Sequence, residues 1–100
     1  MAGYRLTEPA QADLLALADF IANESVDAAE RVVEDLDKAM RGLAEMPGKG
    51  HVREDLTREP GVLIWAVGRY LVVYRQDARL LEVLRILHGS RDVGRELGPG

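Results

Sequence analysis

Val62-Leu-Ile-Trp-Ala-Val67, Tyr70-Leu-Val-Val-Tyr74 and Leu80-Leu-Glu-Val-Leu-Arg-Ile-Leu87 are three apolar runs packed into one third of the chain, and the third ends in His88-Gly89-Ser90-Arg91-Asp92. β-branched and aromatic residues dominate runs of this length, and turn residues bound them, so each predicts a strand rather than a buried helix. The links are short. Gly68-Arg69 suits a tight hairpin, and Gln76-Asp77-Ala78-Arg79 suits a four-residue one. Residues 62–88 therefore predict a three-stranded antiparallel meander, and the residues before it have to cover one of its faces.

Working outward, Tyr4-Arg-Leu-Thr7 alternates and predicts a short strand. Thr7 is placed to cap a helix, with Glu8 and Pro9 in the first turn, where an acid and a proline are both favourable. Ala10, Leu14, Leu17, Ala18 and Ile21 recur at helical spacing to about Glu24, and Phe20 widens their apolar face. After a break at Asn23-Glu-Ser-Val-Asp27, Asp27 with Glu30 reads as a capping box, and Ser25 competes as a cap. The second helix is expected over 27–46, with Leu36 on its buried stripe. Pro47-Gly-Lys-Gly50 ends it, and a charged connector, His51 to Gly61, follows with Leu56 as its anchor. Ser90 to Leu97 suggests a short C-terminal helix, and 98–100 a frayed tail.

The element order is β-α-α-β-β-β. It predicts one α+β domain over 1–100, an antiparallel sheet covered on one face by a helical hairpin. The chain of 100 residues is 47% apolar and 30% charged, the balance of a soluble globular domain. No run approaches the roughly 20 apolar residues of a membrane span, and Met1-Ala-Gly-Tyr-Arg-Leu has no apolar signal core. With no cysteine, thiolate and disulfide chemistry is excluded, which fits the cytoplasm. With two histidines and no ligand spacing, no metal site is expected, and no cofactor fingerprint is present.

The net charge of −4 is unevenly spread: residues 1–46 hold four basic and ten acidic side chains, and 47–100 hold nine and seven. An acidic helical half on an arginine-bearing sheet suits an acidic or nucleic-acid-associated partner on the sheet side, or simply a solvated face. Arg69, Arg75 and Arg85 could share the open sheet face as a basic strip for phosphate or carboxylate, or be scattered in solvent. Arg85 interrupts an apolar strand, so it either reaches solvent or pairs inside. His88 is the better placed histidine, either an acid–base group or a strand end closed by a backbone hydrogen bond. His51 falls in the connector, and Trp65 reads as core.

The ordered set Tyr4-Arg-Leu-Thr7, Ala12-Asp-Leu14, Ala28-Ala29, Leu43-Ala-Glu-Met-Pro-Gly48, Tyr70-Leu-Val-Val-Tyr74 and Arg85-Ile-Leu-His-Gly-Ser-Arg-Asp92 resembles the RelE/ParE superfamily of type II toxin–antitoxin toxins, more the ParE branch. The resemblance covers nearly the whole chain. It implies a small cytoplasmic toxin that causes growth arrest and is neutralised by a cognate antitoxin, a segment of which folds on binding. Operator DNA would be reached only through the antitoxin. A ParE-like member is implied to inhibit DNA gyrase by protein–protein contact, as an inhibitor rather than a catalyst. Arg69, Arg85, His88 and Arg91 are then the expected target-binding residues. The alternative is a RelE-like mRNA endonuclease acting on the ribosome, with Arg53, Arg85, His88 and Arg91 as catalytic candidates. That reading is weakened because no tyrosine follows Tyr74 and only two lysines are present. A third reading is a non-toxic antitoxin-binding or regulatory member.

Overall fold

The structure is a computed structural model describing residues 3–77 and 79–92. β1 (Tyr4–Leu6) leads into α1 (Glu8–Ala22) and α2 (Val26–Glu45). A single 3₁₀ turn (Pro47–Lys49) and the connector then lead to β2 (Leu63–Val67), β3 (Tyr70–Gln76) and β4 (Leu81–His88). The expected C-terminal helix, apart from its first residues in the turn after β4, and the frayed tail lie outside the described residues.

β2, β3 and β4 form the antiparallel meander. The two-residue hairpin has Gly68 at φ 57° and no positive φ at Arg69, the pattern of a turn whose first central residue must be glycine. β1 adds to the far side of β4 in parallel, giving a mixed sheet of order β1-β4-β3-β2 rather than an all-antiparallel one. The reason is topological. The helical hairpin carries the chain across the sheet and back, so β1 reaches β4 with its own direction unchanged.

The hairpin packs on one face. Leu17, Leu36, Met40 and Leu43 close over Val72, Tyr74, Val83 and Ile86. On the opposite face Leu56 anchors the connector against Val62, Ile64, Val73 and Leu87. The α2 cap is Ser25, whose hydroxyl accepts the Ala28 N–H, so the helix starts one residue before Asp27 and the expected Asp27–Glu30 box is not what opens it. Phe20, expected to widen the core face of α1, is 61% exposed.

Two hydroxyls join distant parts of the chain. Tyr4 donates to Asp37 of α2 at 2.6 Å; burial, then this bond, pushes its pKa up to about 12. Tyr74, fully buried, donates to the Pro47 carbonyl at 2.6 Å and accepts the Gly50 N–H at 2.9 Å, pinning the end of α2 to the middle of the sheet. Gly50 is required there because a Cβ would collide with that hydroxyl.

Candidate functional site

The site begins with an irregularity in β4. Val73 faces Arg85 and Tyr74 faces Val83, so Leu84 has no partner on β3 and the strand bulges. Past the bulge the alternation resets. Val83 and Ile86 both face the helices, while Leu84 and Leu87 join the opposite cluster. Arg85, next after Leu84 in the alternation, is turned toward α1.

Residues from the start of α1 satisfy the polar groups that the bulge exposes. Thr7 caps α1 by accepting the Ala10 N–H and donates its hydroxyl to the Leu84 carbonyl at 2.9 Å. Asp13 accepts the Ile86 N–H at 2.9 Å and grips Arg85 with both oxygens, at 2.7 Å to Nε and 2.9 Å to Nη2. Arg85 therefore pairs inside. The signal for this in the sequence is an acid on the apolar side of α1, between Ala10 and Leu14, facing an arginine in an apolar strand; sequence reasoning left Asp13 without a role.

The expected basic strip does not form. Arg85 faces the helices, whereas Arg75 lies on the other face, where Glu82 accepts from it at 2.9 Å and from Arg5 at 2.5 Å. These two guanidiniums, Arg75 first, hold the Glu82 carboxyl below its ordinary range. Arg69 sits in the β2–β3 turn, and its carbonyl accepts the Gly89 N–H at 2.8 Å.

That last bond brings the end of β4 back over the turn and gathers three of the predicted residues. Arg69, His88 and Arg91 line one cleft of about 450 Å³, open between α1, α2 and the β2–β3 turn. A neighbouring cleft of about 320 Å³ shares His88 and Arg91 and reaches Arg85 and Asp13. His88 Nδ1 accepts the N–H groups of Ser90 at 3.3 Å and Arg91 at 3.2 Å, so Nε2 carries the hydrogen of the neutral ring. The His88 N–H donates to Asp92 at 2.7 Å, and its ring meets Tyr70 edge-on at 5.5 Å. His88 thus closes the strand end, while its Nε2–H remains as a donor. The Arg91 guanidinium lies 5.1 Å from the centre of the exposed Phe20 ring.

Arg53 belongs to the connector, pairs with Asp55 at 2.8 Å and lines neither cleft. His51 forms a backbone bridge with Ile64 and stacks at 6.2 Å on Trp65, which also carries the Lys49 ammonium at 4.7 Å. Among the described residues no three acidic or histidine side chains are grouped to hold a metal ion. No described helix is long and apolar enough to cross a membrane.

Comparison with known proteins agrees with this architecture. The family model of the ParE toxin of type II toxin–antitoxin systems, parDE, matches residues 4–93, and the chain belongs to that family. It is 29% identical to Toxin ParE3 of Caulobacter vibrioides over 93 residues, 92% of this chain and 91% of that one. It shares its fold with a chain from the chromosomal ParDE TA system of P. aeruginosa, with a TM-score of 0.70 at 23% identity, covering 88% of this chain and 96% of the other.

Proposed function

We propose that this chain is the toxin of a type II toxin–antitoxin pair, that it inhibits DNA gyrase by docking on it, and that a cognate antitoxin neutralises it. The observation carrying this reading is the convergence of Arg69, His88 and Arg91 around one cleft at the free end of the sheet. Arginine and aromatic side chains at the rim of a concave patch are the composition of a protein-binding hot spot rather than of a substrate-enclosing pocket. Arg85 lines the neighbouring cleft beside His88 and Arg91, held in place by Asp13.

The geometry favours an inhibitor over an mRNA endonuclease. In-line attack by a 2′-hydroxyl needs base, acid and phosphate clamp within a few ångströms of one phosphate. The four candidates for that role are divided: Arg53 is engaged by Asp55 in the connector and Arg85 by Asp13 under α1.

Plasmid supercoiling by purified gyrase tests the reading, with cleaved DNA scored after detergent and protease. Dose-dependent loss of supercoiling with trapped breaks is expected, and addition of the antitoxin restores supercoiling. A folded chain with no effect on gyrase overturns it.

A further inference from the structure

Arg69 and Arg91 differ from the other arginines of the sheet half that face a carboxylate. Arg75 is engaged by Glu82, Arg53 by Asp55 and Arg85 by Asp13. Among the described residues Arg69 and Arg91 make no ion pair, and both line the same cleft. Its floor is apolar, formed by Ile21, Val32, Leu36 and Val67. Tyr70 and the exposed Phe20 stand at its sides. Two arginines lining a cleft with an apolar floor match a carboxylate followed by an apolar side chain.

Two carboxylates, Glu24 and Asp35, line the same cleft. They decide between the anions that two arginines could hold. Nucleic-acid affinity comes from summed neutralisation of phosphates, and a cleft with two acids against two arginines offers a run of phosphates no net charge. A peptide uses both signs: its one carboxylate meets the arginines, and its backbone N–H groups meet Glu24 and Asp35. The volume of about 450 Å³ suits a few side chains, not a helix or a duplex.

We propose that this cleft docks an acidic peptide segment of a protein partner, with a carboxylate held by Arg69 and Arg91 and the neighbouring apolar side chain on the floor. The proposal gives the partner's chemistry at the surface assigned above to gyrase and rests on that reading only for the partner's identity.

The test is a ¹⁵N–¹H titration of the full chain with acetyl-Leu-Glu-Leu-amide, the matching Gln peptide and a thymidine octanucleotide. The Glu peptide is expected to shift the signals of Arg69, Tyr70, Gly89 and Arg91. The Gln peptide, and the Glu peptide against Arg69→Gln/Arg91→Gln, should bind about tenfold more weakly, the loss typical of one charge-assisted hydrogen bond. Equal binding of the two peptides, shifts elsewhere, no shifts at millimolar peptide, or tighter binding of the oligonucleotide at these residues overturns the proposal. The supercoiling assay separates the two readings. If the Glu peptide binds as expected but the folded double variant still inhibits gyrase, the docking site stands and its assignment to gyrase fails.

Discussion

Asp13 and Arg85 form a two-point clamp across the α1–β4 boundary, and the Asp13 oxygen that accepts from Arg85 Nε also accepts the Ile86 N–H. One carboxylate thus neutralises an arginine with a side chain only 25% exposed and satisfies a backbone N–H beside the bulge. Asp13→Ala removes the carboxylate that accepts from both groups and should cost about 2–4 kcal/mol in urea unfolding, the range for breaking a largely buried, charge-assisted contact. Arg85→Ala should cost less, since Asp13 keeps the Ile86 N–H. A double-mutant cycle should show coupling above about 1 kcal/mol; additive losses would mean the clamp contributes nothing.

Leu36 is completely buried at the centre of α2, against both α1 and the sheet. Leu36→Ala is expected to cost about 2–5 kcal/mol by leaving a cavity. A loss under about 1 kcal/mol in the same unfolding series would place the helix seam elsewhere.

Tyr74 makes a packing and a polar contribution that can be separated. Tyr74→Phe keeps the ring but orphans the Pro47 carbonyl and the Gly50 N–H, so it should cost about 1–3 kcal/mol. Faster amide exchange at Gly50 should accompany that loss. Unchanged exchange would show that another group takes over the bond.

Glu82 predicts the shape of the acid limb. Its carboxyl is held below the ordinary glutamate range by Arg75 and Arg5. The folded state therefore binds this proton less readily than the unfolded chain. The stabilisation is complete above about pH 4.5 and is lost as pH falls through the lowered folded value. Glu82→Gln should be less stable at pH 7 and lose less on acidification. Parallel melting curves of variant and parent from pH 7 to pH 3 would refute this.

Much of this fold is written in local patterns: the meander in three apolar runs, its first turn in Gly68-Arg69, the hairpin in the stripe through Leu17 and Leu36. What local pattern does not carry is competition and direction. Ser25 and Asp27 are both good caps, and the choice of Ser25 depends on where packing on the sheet sets the helix start. β1 looks the same in sequence whether it pairs parallel or antiparallel. Arg75 pairs in register with Glu82, and Arg85 lies three residues beyond Glu82, so strand alternation puts the two arginines on opposite faces, which only the register reveals. Arg69, His88 and Arg91 meet at one cleft, and Arg85 lines the neighbouring cleft with His88 and Arg91. Phe20 was misplaced because its apolarity implied core, whereas its ring is at the cleft mouth beneath Arg91.

β1 lies against β4, with Arg5 and its partner Glu82 77 positions apart in the chain. β4 is an interior strand, and both helices lean on side chains it provides. While the ribosome is still making the middle of the chain, α1 and α2 have no surface on which to settle. The apolar stripe of the hairpin stays uncovered until nearly ninety residues have been joined, and such late, long-range closure is slow. The cleft at Arg69 and Arg91 needs the turn after β4, so it is completed only once that turn has been made. The surface proposed to meet a partner is therefore among the last parts of the fold to take shape.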